Sequence, residues 1–332
     1  MNTKKKTLIV GAGWAGQTMA ETLVNSGTHQ VVGFVDDLKD TLDPVNVMNG
    51  VGEVHLPILD TSHKIVETAV NTEATDVVLA ITHDRKGHVL EQVVKCYEEG
   101  LRVHQMPDMY SDIKKRIPIK HIDHSWIVPR LKPPAQDLNT FLVSVLDYTV
   151  SLLLIVCVFL PLFPFVAAAI KLTSPGPLYF LQKRVGRYGR RFTILKFRTM
   201  TNKARSEGAS WTTEGDARIT SIGSFLRKYR IDELPQLINV LKGEMALIGP
   251  RPEAVDLVAL YRKEIPFYEY RYLVKPGITG WAQVEYKNTC SVEGALKKLQ
   301  YDLYWIKKRS LWLSLKIIAK TIKVSLTGFG SV

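Results

Sequence analysis

The sequence predicts a two-part α/β chain: a doubly wound domain first, then a mainly helical α/β domain held to a membrane by a re-entrant helix. Three observations predict it. A glycine-rich turn follows the first apolar strand, 23 residues from 148 to 170 carry no charge, and the charge is split unevenly along the chain. Residues 1–130 hold 14 Lys/Arg against 17 Asp/Glu, whereas residues 131–332 hold 30 against 15. At 332 residues and 46% apolar composition, two cores can be buried.

Residues 7–10 read as a strand, Gly11, Gly13 and Gly16 as the turn after it, and the stretch to about Ser26 as a helix. A second strand, residues 31–35, ends at Asp36, 20 positions past Gly16. A dinucleotide-binding fold places there a carboxylate for a ribose hydroxyl. Residues 76–82 read as a buried strand, 87–99 as a helix and 101–105 as the next strand. Together they predict a Rossmann-like domain over residues 1–130, with Gly11, Gly13, Gly16 and Asp36 as candidate nucleotide or dinucleotide contacts. The same glycines also suit close packing with no ligand.

The basic start, residues 1–6, runs into too short an apolar stretch for a secretory signal, so this domain is expected in the cytosol. Cys96, Cys157 and Cys290 are far apart and form no metal or disulfide pattern.

Pro129, Pro133 and Pro134 mark a connector, residues 131–147. The apolar stretch 148–171 is long enough to cross a bilayer, but Pro161 and Pro164 interrupt it. Both flanks favour the cytosol, since a signal-less domain precedes the stretch and Lys183, Arg184, Arg187, Arg190 and Arg191 follow it. A helix that enters, bends at Pro161 and leaves on the same face satisfies both, while a straight span, which would put one domain outside, and a buried core helix of a soluble protein stay open. Lys316, Lys320 and Lys323 recur at helical spacing among apolar residues, a pattern for an interfacial helix or for one packed on its own domain.

All eight histidines precede residue 125. Histidine-based nucleophilic catalysis and histidine-ligated metals are therefore excluded from the basic half, leaving carboxylates, lysines and arginines. The densest candidate is Asp232-Glu233, within the stretch from Arg227 to Gly243. Asp232 is placed to cap or open a helix that Pro235 tolerates in its first turn and Gly243 ends, where exposed N–H groups would hold it ionised as a nucleophile or Mg²⁺ ligand. Residues 182–186, 196–200 and 275–283 combine cations with glycines and suit phosphate or a lipid-facing surface.

Taken in order, residues 171–177, 196–200, 230–243, 249–252 and 276–283 resemble the bacterial sugar transferases, the monotopic polyprenyl-phosphate phosphoglycosyl transferases. The resemblance covers roughly residues 138–330. It implies a catalytic domain over residues 172–332 on the cytoplasmic face of the bacterial inner membrane, anchored by a re-entrant helix that breaks at Pro161. Many members carry serine before that proline, where this chain has Leu160. It further implies catalysis by Asp232 and Glu233 with Mg²⁺ at the same pair, and phosphate or nucleotide contacts by Lys196, Arg198, Arg227, Arg251 and Gln283. Asp302 falls at a matching acidic position, with a structural role equally open. The implied reaction moves a sugar 1-phosphate from a UDP-sugar to polyprenyl (undecaprenyl) phosphate through an aspartyl-phosphosugar, releases UMP and initiates glycan assembly. Larger members carry a similar nucleotide-binding-like domain, usually after several membrane helices. The partners expected are the donor, the lipid acceptor and the membrane, with no nucleic acid; self-association is left open.

Two other readings remain at this point. One is an NAD-dependent sugar-modifying enzyme using the glycine turn, although no Tyr-x-x-x-Lys pair accompanies it. The other is a non-catalytic membrane scaffold, which gives no reason for the Asp-Glu pair.

Overall fold

The computed structural model describes residues 4–38, 44–48, 52–81, 87–131, 138–201, 216–286 and 291–327. It divides the chain into two units, Met1–Ile127 and Val128–Val332. Pro133 and Pro134 of the connector, His83, Cys290 and the end of the expected strand at Thr82 lie outside the described residues.

In the first unit, β1 (Lys5–Val10), β2 (His29–Val35), β5 (Ile58–Asp60), β6 (Asp76–Leu79) and β7 (Arg102–Gln105) form one sheet in the order β5-β2-β1-β6-β7. Every pairing is parallel. The strands are apolar on both sides because helices cover both faces. Ile9 and Phe34 pack with Met19 and Leu23 of α1 (Trp14–Ser26) and Met106 of α4 (Met106–Lys114). Leu8, Val10 and Val35 pack instead with Ile65 of α2 (Ile65–Asn71) and with Val89 and Cys96 of α3 (Gly87–Glu98). The antiparallel hairpin of β3 (Val45–Met48) and β4 (Glu53–Leu56) was not expected. Its alternating burial identifies it only once its packing partners are known.

The glycine turn has a steric basis. Gly11 has φ of 100°, and a Cβ on Gly16 would lie 1.9 Å from the Gly11 carbonyl oxygen, so α1 can start this close to the strand only without a side chain there.

In the second unit, α6 (Leu138–Leu154), a π-helical turn (Ile155–Phe159) and α7 (Leu160–Thr173) follow one another. The run Thr140–Thr173 is 34 residues long and apolar enough to cross a membrane. One expectation needs correction here. The helix begins ten residues before 148 and takes in Asp147, whose carboxylate accepts the Leu247 N–H at 3.0 Å. Sequence placed a charge at the end of the apolar stretch; a tertiary partner lets that charge sit inside the helix. Around Pro161, where the sequence suggested a bend, the chain stays helical. The departure from α geometry is the wider turn at Ile155–Phe159, and Pro161 stands in the first turn of α7. A π turn shifts the hydrogen-bond register just where the proline lacks a donor.

The run touches the rest of its unit along its length. The Phe159 and Phe197 rings lie 5.9 Å apart, and Val166 and Ile170 join Leu226 in the same cluster. The outer side exposes Phe141, Leu153, Val156, Leu160 and Phe165.

The remaining framework is short elements: an antiparallel hairpin of β8 (Tyr179–Val185) and β9 (Arg191–Phe197), a parallel pair of β10 (Ala246–Ile248) and β11 (Gly277–Thr279), and helices around them. In the last helix, Leu311–Thr327, Lys316 and Lys320 lie over the Trp281 ring and Lys320 pairs with Glu285. Its exposed stripe is therefore Trp312, Leu315 and Ile322, not a row of lysines alone.

Candidate active site

Helix Ser221–Lys228, N-capped by the Thr220 hydroxyl, delivers the chain to Arg230, which has a left-handed backbone (φ of 56°). That reversal opens a 3₁₀ turn, Ile231–Glu233, which runs into helix Gln236–Leu241. Asp232 thus sits inside a buried turn. Of the two places the sequence left open, capping a helix or opening one, it takes the second, in the 3₁₀ turn, and Pro235 precedes the helix that follows. Gly243, with φ of 76°, terminates the helix as expected.

The opposing wall is β9. Its alternation sends Phe197 into the apolar cluster and Lys196 to the carboxylates. Asn239 fixes the distance between helix and strand: its side chain donates to the Thr193 carbonyl at 2.8 Å and accepts the Leu195 N–H at 3.2 Å. Motif spacing gives Asn239 no role; an amide within an apolar helical run, Leu237 to Leu241, is the available signal.

The two adjacent carboxylates have different surroundings. Glu233 Oε1 accepts from Lys196 Nζ at 2.7 Å and Arg251 Nη2 at 2.6 Å, and Arg230 Nη1 stands 3.8 Å from Oε2. Burial works to raise Glu233, but Arg251, Lys196 and Arg230 outweigh it and hold the group well below the ordinary glutamate range. The Asp232 carboxylate makes no hydrogen bond among the described residues, and its nearest cation, Lys196 Nζ, is 4.0 Å away. Burial pushes it up to about 6, against the pull of Lys196. The expected stabilisation by helix N–H groups is therefore replaced by the opposite effect, desolvation. At neutral pH Asp232 is still ionised and poorly solvated, the condition of a reactive nucleophile.

The other expected contacts divide. Arg251 joins Glu233, while Arg227 adds a neighbouring positive charge to Asp232 and donates through Nε to Thr199 Oγ1 at 2.8 Å. Arg198 does not join them by any described contact. It donates to the Ser174 and Pro175 carbonyls at 2.7 and 2.6 Å and so holds the turn after α7. Gln283 donates to the Ile278 carbonyl at 2.9 Å and likewise makes no described contact with the carboxylates. The glycines near it serve chain crossing. A Cβ on Gly277 would lie 2.1 Å from the Gly249 nitrogen, and the Gly249 N–H is spent on the Thr279 carbonyl. Arg230, at the start of the 230–243 stretch, belongs to the same cation set.

An Mg²⁺ ion bound through oxygen fits Asp232 better than Glu233, because Glu233 is already occupied by three cations. Among the described residues no third His, Cys, Asp or Glu completes a metal site, so the ion would need substrate oxygens. In the first unit, Asp36 accepts N–H groups from Ala12 at 2.7 Å and Leu38 at 2.9 Å, which joins the acidic residue to the Gly11–Gly13 turn.

Comparison with known proteins places the second unit. The family described as "Bacterial sugar transferase" matches residues 138–328. A UDP-N-acetylgalactosamine-undecaprenyl-phosphate N-acetylgalactosaminephosphotransferase of Aeromonas hydrophila is 41% identical over 72% of this chain and 56% of its own length. A UDP-glucose:undecaprenyl-phosphate glucose-1-phosphate transferase of Escherichia coli (strain K12) is 32% identical over 96% of this chain and 67% of its own length. A second UDP-glucose:undecaprenyl-phosphate glucose-1-phosphate transferase, of Xanthomonas campestris pv. campestris, is 33% identical over 80% of this chain and 56% of its own. The chain thus spans between about half and two thirds of the length of these relatives. With the Asp-Glu turn, its cations and the apolar helix all inside the matched region, the chain belongs to the bacterial sugar transferase family.

Proposed function

We propose that this chain transfers a sugar 1-phosphate from a UDP-sugar to undecaprenyl phosphate, and that Asp232 is the nucleophile. The observation that carries the reading is the asymmetry of the pair. Glu233 is pinned by Lys196, Arg251 and Arg230, while Asp232 beside it is buried and unbonded among the described residues.

A carboxylate oxygen of Asp232 attacks the phosphorus that bears the sugar. The bond from that phosphorus to the bridging oxygen breaks, UMP leaves with the electron pair, and an aspartyl-phosphosugar remains. An oxygen of undecaprenyl phosphate then attacks the same phosphorus and Asp232 leaves as carboxylate, giving a lipid diphosphosugar. Two anions thus meet through two steps, each at a site lined by Lys196, Arg227 and Arg251. Bound Mg²⁺, held by Asp232 and donor oxygens, would supply charge neutralisation.

The apolar run Thr140–Thr173 supports membrane attachment. Laid straight it would measure about 51 Å, against about 30 Å of hydrocarbon. Its contacts with one folded unit from Asp147 to Ile170 favour re-entry from the cytoplasmic face over a straight span. Cysteines at positions 135 and 180 should be labelled from the same side of oriented vesicles; labelling from opposite sides would rule re-entry out. In the first unit the strand order and the Ala12–Asp36 contact support a Rossmann-like nucleotide site.

The deciding assay incubates the protein with undecaprenyl phosphate, Mg²⁺ and UDP-glucose or UDP-N-acetylgalactosamine, and measures UMP. Release that needs both the lipid and Asp232 is expected. Activity that survives Asp232→Asn and needs NAD would favour a nicotinamide enzyme instead. Glycan assembly in cells that survives the substitution would favour a scaffold.

A further inference from the structure

We propose that helix Val292–Lys308, acting through Arg271, positions Arg251 for the site, and that Arg271 is a positioning residue. The inference rests on the transfer reading in one respect, that Arg251 serves the reaction.

Arg251 lies between Pro250 and Pro252, neither of which has an N–H, so no ordinary strand ladder can hold this segment. It is held instead by its carbonyls, one after another. The Pro250 carbonyl accepts the Gly277 N–H at 3.0 Å, the Arg251 carbonyl accepts Arg271 Nη2 at 2.9 Å, the Pro252 carbonyl accepts Arg184 Nη1 at 3.0 Å, and the Glu253 carbonyl accepts the Val185 N–H at 3.2 Å. The backbone of Arg251 is thus tied down by a buried guanidinium while its own guanidinium reaches Glu233 at 2.6 Å.

Arg271 is 4% exposed and is itself oriented from two sides. Nη1 donates to the Tyr268 hydroxyl at 2.5 Å, and Nη2 also donates to Asp302 Oδ2 at 2.9 Å. Asp302 and Lys298 lie four positions apart, on one face of helix Val292–Lys308. Lys298 Nζ stands 3.5 Å from Glu253 Oε1, so the two residues grip the same segment, Asp302 through Arg271 and Lys298 directly. A lysine at 271 carries the charge but lacks the planar fork that serves three acceptors at once.

Hydrogen exchange of the peptide covering residues 249–254 tests this without any substrate. In Arg271→Lys, amides in this peptide are expected to exchange about tenfold faster or more, with β8 and β9 unchanged and the protein folded by its melting curve. Should that variant not fold, Lys298→Met serves as the second probe and should loosen the same peptide. Unchanged exchange there in either folded variant overturns the proposal. The transfer assay supplies the second arm. If Arg271 acts through Arg251, Arg271→Lys together with Arg251→Lys should be no slower than Arg251→Lys alone, whereas multiplied losses would overturn it. A wild-type protein that transfers nothing would count against the transfer reading and leave exchange to decide the positioning role.

Discussion

Asp76 in the first unit and Asp232 in the second are both buried aspartates, 1% and 7% exposed, and their surroundings differ completely. Asp76 accepts from Thr75 Oγ1 and Arg102 Nη2, each at 2.7 Å, and is 2.8 Å from His104 Nε2. Burial works to raise it, but these three bonds outweigh burial and hold it below the ordinary aspartate range. Asp232, with Lys196 4.0 Å away, is pushed up to about 6 by the same desolvation. The lesson is that burial alone does not mark a reactive carboxylate. What marks it is burial without the bonds that would satisfy it.

The strongest challenge to that contrast is Asp232→Asn. Loss of about 10³-fold or more in UMP release is expected if the carboxylate is the nucleophile. The fold should not suffer. A folded-state rise from 3.8 to about 6 corresponds to roughly 3 kcal/mol against the charged form, so the neutral amide should raise the melting temperature or leave it unchanged. A clear drop in melting temperature would contradict the description of Asp232 as poorly satisfied.

Glu233→Gln should act in the other direction on stability. It leaves Lys196, Arg251 and Arg230 without their shared anion, at a cost of about 3 kcal/mol by thermal or denaturant unfolding, with transfer reduced about 10²-fold. Stability equal to wild type would mean that the cations are satisfied elsewhere.

Asp76→Asn sharpens the contrast from the first unit. It should destabilise by about 2 kcal/mol, through weaker pairing with Arg102 and His104, while transfer by the folded protein stays within about twofold. A large loss of transfer would show that the sheet unit acts on the reaction.

The contrast extends to the pH dependence of stability, where the two aspartates should have opposite signs. Asp76 has a depressed folded value, so its contribution is present above the unfolded value near 3.8 and disappears as pH falls through the folded value. Asp232 has a raised one, so its contribution is full below about 3.8 and is lost as pH rises through about 6. Unfolding free energies from pH 4 to 7 should therefore decline for wild type relative to Asp232→Asn, and show no such decline relative to Asp76→Asn.

The sequence by itself determined the parallel-sheet unit, because continuous apolar strands, the Gly11–Gly16 turn and the next helices are local patterns with one way to bury themselves. It also located the apolar helix, and the resemblance to the sugar transferases, rather than composition, singled out Asp232, Glu233, Lys196 and Arg251. Tertiary structure alone decided what each charge does. Arg198 and Arg251 look alike in sequence, yet one holds the carbonyls of Ser174 and Pro175 and the other holds Glu233. Gly277 reads as a phosphate contact and proves to be a crossing point for backbone. Asp232 and Glu233 are adjacent in the chain, but opposing Coulombic and desolvation energies separate them, and those depend on partners 18 to 37 positions away.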